Sequence, residues 1–244
     1  MRATGKSRHK QTPLYQQISE EIVARINKGV WLPGDALPSE MALAEELMVS
    51  QGTVRKALDE LTHRNLVTRH QGKGTFVTAH TAQRELFHFF NLTRDDGRKQ
   101  LPTTKRIIGI ENRRGNSDEC TRLKLKPATR VIFIERIREL GKRSAIFETI
   151  VLPAKMFRGL GMNDTLPNEL YQLYEQQYGV TIHKAVERIG AISADRNHAR
   201  HLNVQNGAPL LEIDRLAETL DGTPAEWRRS QLNTISHKYI GEII

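Results

Sequence analysis

Residues 66–78 read LVTRHQGKGTFVT, and the reading of this stretch decides the fold of the first third of the chain. Its centre is close to the phosphate-cradling loop of nucleotide hydrolases, which needs a glycine, four residues, then Gly-Lys followed at once by Ser or Thr. Two positions fail. Gly74 stands where a hydroxyl should reach Mg²⁺, and Val67 stands where the first glycine belongs. A hairpin fits instead: LVTR (66–69) and TFVT (75–78) are short β-like runs, and the turn HQGKG joins them. In that setting Gly72 and Gly74 allow positive φ and a close approach to a groove wall, and Lys73 is offered at the tip.

Working upstream, SQGTVRKALDEL (50–61) predicts a helix capped by Ser50, with Val54, Ala57, Leu58 and Leu61 on one face. Its opposite face carries Gln51, Gly52, Thr53, Arg55 and Lys56. An amide, a hydroxyl, two cations and backbone N–H groups at the positive end of a helix are the groups that bind phosphates and read base edges in a major groove. A solvated polar face is the alternative. Before it, Ser39 starts a helix with Glu40 in its first turn and Leu43, Ala44 and Leu47 on its buried side, while LYQQISEEIVARINKG (14–29) places Leu14, Ile18, Ile22 and Ile26 in one stripe that Gly29 stops. VWLPGDALP (30–38) reads as a connection. Three helices followed by a hairpin make a winged helix-turn-helix, which favours the nucleic-acid reading.

The motifs Pro-Gly-Asp (33–35), Pro-Ser-Glu (38–40), Thr-Val-Arg-x-Ala-Leu (53–58) and Gln-Gly-x-Gly-Thr-Phe-Val (71–77) resemble the DNA-binding domain of the GntR family of bacterial transcriptional regulators over residues 13–78. The resemblance implies that Ser39, Ser50, Gln51, Thr53 and Arg55 meet operator DNA and that Gln71, Gly72 and Lys73 form the wing. Met41 and Gln51 stand where many relatives have arginine, so the operator's base preference is expected to depart from the commonest pattern.

Beyond residue 85 the pattern becomes β-rich. VIFIERIRELGKRSAIFETIVL (131–152) and LLEIDRLAETLDGTPAEWRRSQL (210–232) each read as a hairpin. They match each other: Ile134-Glu135-Arg136 answers Ile213-Asp214-Arg215, and Glu148 is aligned with Glu226. A short helical piece beginning at Asp118 or Asp195 precedes each. A duplicated unit forming one antiparallel sheet with helices beside it, an α+β domain, is expected. Alternation sets Arg136 and Arg138 on the face of Ile132 and Ile134, and Glu148 on that of Ile146 and Ile150. Either these charges pair on a solvated face or they point inward and need each other or a ligand.

Arg-Ile-Arg (136–138), Glu148, LYQLYEQQYG (170–179), Asp-Gly-x-Pro-x-Glu (221–226) and Lys-Tyr (238–239) resemble the UTRA effector-binding domain of the HutC-like branch of that family, which is similar in fold to chorismate lyase. The resemblance implies ligand contacts from Arg136, Arg138, Glu148, Glu226 and Tyr239, with backbone N–H groups of the Phe90-Asn91-Leu92 loop closing the pocket. Glu169 replaces a small hydroxyl residue and His237 an aspartate, a change that suits a ligand with an amine or ring nitrogen.

With 244 residues the chain has room for two domains: a winged helix-turn-helix over 1–80 and an effector-binding and dimerisation domain over 81–244. The net charge of +9 suggests an anionic partner. The excess is +3 in residues 1–80 and +6 in 81–244, so charge alone does not localise the interface. No apolar run is long enough for a membrane span, the basic N-terminus lacks the apolar segment of a secretory signal, and the single Cys120 forms no internal disulfide, which together suggest a cytoplasmic protein without a membrane partner. His198 and His201 lack enough companions for zinc, Tyr171, Tyr174 and Tyr178 read as core packing, and no cofactor is expected. The chain is thus expected to be a non-enzymatic repressor whose homodimer binds double-stranded operator DNA and responds to a carboxylate- or phosphate-bearing metabolite. A lyase-like enzyme acting on a small carboxylic acid and a ligand-independent DNA-binding protein are the alternatives.

Overall fold

A computed structural model describes residues 12–79, 91–94, 97–161 and 166–241. It divides into two compact units, residues 1–79 and 80–244. Phe90 lies outside the described residues.

In the first unit α1 (Leu14–Asn27), α2 (Glu40–Glu46) and α3 (Gln51–His63) precede a hairpin of β1 (Val67–His70) and β2 (Gly74–Val77). The apolar stripes converge, burying Ile18 and Ile22 of α1, Leu43 and Ala44 of α2, and Val54, Ala57, Leu58 and Leu61 of α3. Each Leu or Ile so placed contributes about 1.5–3 kcal/mol. Leu14 at the start of the α1 stripe stays exposed. The caps are where the hydroxyls suggest: Ser39 Oγ accepts from Ala42 N–H and Ser50 Oγ from Thr53 N–H. The hairpin pairs Val67 with Val77 through His70 with Gly74, and Gly72 (φ +72°) and Gly74 (φ +114°) take the positive φ that its turn demands.

Residues 30–38 are more than a connection. Gly34 N–H donates to Val77 O, Leu37 N–H to Thr75 O, and Val77 N–H to Asp35 O, while Ala36 bridges Phe76. The segment entering α2 is therefore zipped along β2, and Leu37 is buried against it.

The second unit runs β3 (Leu92–Arg94), β4 (Thr103–Arg114), α4 (Ser117–Arg122), β5 (Arg130–Leu140), β6 (Arg143–Pro153), α5 (Leu170–Tyr178), β7 (Ile182–Ser193), α6 (Arg196–Leu202), β8 (Pro209–Thr219), β9 (Pro224–Leu232) and β10 (His237–Tyr239). Six strands form one antiparallel sheet in the order β4-β5-β6-β9-β8-β7, and β3 pairs with β10 separately. The order is palindromic for two copies of strand, helix, strand, strand, the expected duplication. One helix start differs from the sequence reading. Asn116, not Asp118, caps α4 through a reciprocal box with Glu119, whereas Asp195 caps α6 as expected.

Even-numbered residues of β5 and β6 (Ile132, Ile134, Ile150, Leu152) pack on α5 through Leu170, Tyr171, Leu173 and Tyr174. Odd-numbered Ile137 and Phe147 pack on the α6 side with Leu202, and Val131 and Val151 with Leu123. The α5 face has a second cover farther along, where Leu92 and Tyr239 of the β3/β10 ladder lie over Ile146, Ile213 and Leu232. Between these two covers the sheet carries a seam of charged side chains.

Candidate functional site

On the first unit the helix face and the wing are tied together by one carboxylate. Glu40 accepts from Arg55 Nε at 2.9 Å, from Gln51 Nε2 at 3.5 Å and from Arg69 Nη2 at 3.3 Å. Arg69, on β1, also bonds Asp59. The Arg55 side chain remains 59% exposed, and the Glu40 hydrogen bond raises its already high pKa, so a permanent cation is aimed from α3 by α2. The hydroxyls of Ser39 and Ser50 act as helix caps, and Ser50 Oγ also lies 2.8 Å from Thr53 Oγ1. Lys56 is placed otherwise than its neighbours: its ammonium sits 4.1 Å from the Tyr15 ring centroid on α1. Gln71, Gly72 and Lys73 are exposed at the hairpin turn.

In the second unit the inward alternative holds. Arg136 (0%), Arg138 (2%), Glu148 (1%) and Glu226 (0%) are buried. The strand registers set Arg136 opposite Glu148, which is opposite Ser230, and set Glu187 opposite Arg215, which is opposite Arg228. Glu148 accepts from Arg136 Nε at 2.5 Å and Ser230 Oγ at 3.2 Å, and its Oε1 lies 3.8 Å from Arg138 Nη1 and 3.7 Å from Arg228 Nη1. Burial alone would raise this carboxyl, but Arg136, Arg228 and Arg138 outweigh it and hold the group well below the usual carboxylate range. Arg138 Nη2 donates to Pro102 O and Asn168 Oδ1.

Glu226 is engaged elsewhere. It accepts from Tyr171 and Tyr174 at 3.0 and 2.8 Å and from Arg228 Nη2 at 2.7 Å, under α5. Burial, then the Glu226 charge, pushes both phenols upward and keeps them as neutral donors. The register places Glu226 opposite Ala217 and Arg228 opposite Arg215, so the counterpart of Glu148 in the second hairpin is Arg228. The alignment of Glu148 with Glu226 is thereby corrected; the second hairpin is one residue out of step with the first in its turn.

A narrow cavity of about 20 Å³ opens on this seam, room for about one water. Of the residues the sequence singled out, Asn91, Glu148 and Tyr239 line it, joined by Glu187, Arg215, Arg228 and Ser230. Tyr239 OH donates to Glu187 Oε2 at 2.5 Å and accepts from Asn91 Nδ2 at 3.0 Å, which closes the β3/β10 ladder over the sheet. Arg136 and Arg138 stand behind Glu148, Glu226 lies beyond Arg228, and Glu169, at the cap position of α5, accepts from Asn168. His237 bonds Gln100. Arg215 could have been found from its match to Arg136, and Arg228 and Ser230 from strict alternation after Glu226. Among the described residues no group of three His, Cys, Asp or Glu could hold a metal, and no helix is long and apolar enough to cross a membrane.

Residues 14–77 match the family described as bacterial regulatory proteins, gntR family, and residues 98–238 match the UTRA domain. The chain is a GntR-family regulator with a UTRA domain. The regulator is 27% identical over 227 residues to the mannosyl-D-glycerate transport/metabolism system repressor MngR of Escherichia coli (strain K12), covering 93% of this chain and 94% of that protein. It is 27% identical over 218 residues to the HTH-type transcriptional repressor NagR of Bacillus subtilis (strain 168), covering 89% of each. The ligand-binding domain of a GntR-family transcriptional regulator from Bordetella bronchiseptica superposes with a TM-score of 0.60 at 27% identity, over 65% of this chain and 99% of that one. PhnF from Mycobacterium smegmatis, at 21% identity and a TM-score of 0.54 over 93% and 99%, shares the fold. The regulator is thus a DNA-binding protein whose second domain takes a small-molecule effector.

Proposed function

We propose that the regulator is a cytoplasmic repressor that binds a palindromic operator as a homodimer and changes its operator affinity when an anion-bearing small molecule occupies the cavity between β6, β9 and β8. The α3 face with Ser50, Gln51, Thr53 and Arg55 reads the major groove, with Ser39 at the neighbouring phosphates and Gln71, Gly72 and Lys73 at the backbone beside it. The observation that carries the effector chemistry is a buried donor without an acceptor. Arg228 lines the cavity and, among the described residues, its Nε has no hydrogen-bond partner; Arg136 Nη2, behind Glu148, has none among them either. Such donors cost about 1–3 kcal/mol each until an acceptor reaches them. The seam also holds Arg136, Arg138, Arg215 and Arg228 against Glu148, Glu187 and Glu226, one positive charge in excess. A carboxylate or phosphate supplies both the acceptor and the charge. MngR, named for mannosyl-D-glycerate, a carboxylate-bearing conjugate, fits the same chemistry. Glu169 and His237 lie off the cavity, so the amine preference they suggested has no support from its lining.

The cavity is too small for a metabolite as it stands, so entry requires the Asn91–Tyr239–Glu187 closure to part, and binding couples to that movement. A thermal-shift screen of sugar carboxylates and sugar phosphates against their neutral parents tests the class: anionic members raise the midpoint and the parents do not. Operator titration by fluorescence anisotropy with each hit then reads the coupling. A neutral sugar that binds as tightly as its acid overturns the anion reading, and conversion of a hit into product overturns binding without turnover.

A further inference from the structure

The edges of the six-stranded sheet, β4 and β7, are counterparts in the duplication but are finished differently. β4 breaks register twice, between Thr104 and Arg106 and between Ile107 and Gly109, and carries Lys105, Arg106, Glu111, Arg113 and Arg114. Bulges and charges keep an edge from accepting another strand. β7 breaks only near its start, between Ile182 and Lys184, and then runs regularly to Ser193. Its last residues, Ile189-Gly190-Ala191-Ile192-Ser193, hold neither charge nor proline. Val186 and Ile189 are 45% and 49% exposed, on opposite faces of the strand.

We infer that this edge is covered by β7 of a second copy, paired antiparallel about a two-fold axis at Ile189, so that two sheets join into one. Symmetry and charge select the register. An axis at Glu187 or Arg188 sets like charges against each other, and an axis at Val186 sets Lys184 against Arg188, all unfavourable. An axis nearer the start crosses the break at Ile182/Lys184, and one nearer the end shortens the pairing. With the axis at Ile189, Arg188 faces Gly190, Glu187 faces Ala191, Ala185 faces Ser193, Val186 faces Ile192, and Ile189 faces its own copy. Both exposed apolar side chains gain apolar partners and no like charges meet. The inference rests on the homodimer proposed above and adds that Glu187, which lines the effector cavity, lies two residues from the axis.

The test uses the full chain with Ile189→Cys and, on the opposite edge, Ile108→Cys. Residues facing each other in an antiparallel pair have Cα atoms about 4.5–5.5 Å apart, within the range of about 4.4–6.8 Å that a disulfide spans. Under mild oxidation Ile189→Cys should link two chains completely, and Ile108→Cys should link no more than the wild type with its buried Cys120. Ile189→Lys, at an exposed site, should shift the light-scattering mass from two chains toward one with an unchanged circular dichroism spectrum. A dimer that neither links through Ile189→Cys nor weakens with Ile189→Lys overturns the interface while the homodimer stands. A wild type with the mass of one chain overturns both.

Discussion

Arg228 holds in the second hairpin the register position that Glu148 holds in the first, and the two side chains approach to 3.7 Å across β6 and β9. The duplication has therefore reversed a charge at equivalent sites. Glu148 neutralises Arg136 in its own half, while Arg228 stands opposite Arg215 and takes its counter-charges from Glu148 and Glu226. The second half balances, Arg215 and Arg228 against Glu187 and Glu226, while the first sets Arg136 and Arg138 against Glu148 alone, and the approach of Arg228 to Glu148 joins the two into one seam.

Arg228→Ala leaves Glu226 buried without its cation and Glu148 with one fewer. Breaking a buried pair from one side costs about 3–5 kcal/mol, and urea unfolding of the full chain should show a loss of that order. Adding Glu226→Gln should recover part of it. A loss in the single variant of under about 1 kcal/mol, typical of an exposed pair, would mean that the site is far better solvated than its burial implies.

Acid should act through Glu148. Because its folded-state pKa lies below the unfolded value of about 4.3, the stability it contributes is fully present above that value and is lost as pH falls toward the folded one. The wild type should lose stability from about pH 5 downward. Glu148→Gln should be less stable at neutral pH, where three arginines lose a counter-charge, and should show a shallower acid slope. Parallel slopes in denaturant midpoints at neutral and acid pH would remove Glu148 as the origin.

Tyr239→Phe deletes one hydroxyl that serves both Asn91 and Glu187. The expected stability cost is about 1 kcal/mol, concentrated in the β3/β10 closure. Hydrogen exchange should quicken in residues 92–94 and 237–239 while the centre of the six-stranded sheet keeps its protection. Unchanged exchange there would show that the ladder is held by its backbone pairing alone.

Arg55→Ala should weaken operator binding and lower the slope of log affinity against log salt by about one, as expected for one phosphate contact. Glu40→Ala keeps every cation but releases Arg55 and Arg69 from their shared carboxylate. Its signature is different: affinity for unrelated DNA is preserved or raised while discrimination in favour of the operator falls, measured by competition anisotropy.

Lys56 gives the contrasting case. With its ammonium over the Tyr15 ring, Lys56→Ala should cost about 0.5–1 kcal/mol of stability and change the salt slope of operator binding by much less than Arg55→Ala does. Equal slopes for the two variants would place Lys56 at the DNA.

The sequence carried the first unit well because its signals are local. Ser39 and Ser50 cap what hydroxyls cap, the stripe from Val54 to Leu61 is buried, and the glycines of the hairpin take positive φ. The C-terminal strands were legible for the same reason, through alternation and the Asp221-Gly222 turn. The cavity was only half legible, because it depends on register. Glu148 and Tyr239 could be marked by type and position, but Glu187 enters from an edge strand whose partner, Arg215, is fixed only by pairing between distant segments. Glu226 matched by motif and by approximate spacing, yet that spacing was one residue short and the second hairpin is one residue longer than the first, so that Arg228 holds the place assigned to Glu226. Likewise nothing local in VWLPGDALP announces that it lies along β2.

That last contact has a mechanical meaning. Gly34, Asp35 and Leu37 are bonded to β2, and three residues after Leu37 the chain enters α2, whose Glu40 grips Arg55. The hairpin cannot swing without dragging the turn of chain that aims the recognition helix. In the homodimer proposed above, the head would therefore meet a half-site as a single rigid stamp, and a small error in the distance between two such stamps would forfeit groove and backbone contacts together rather than one at a time.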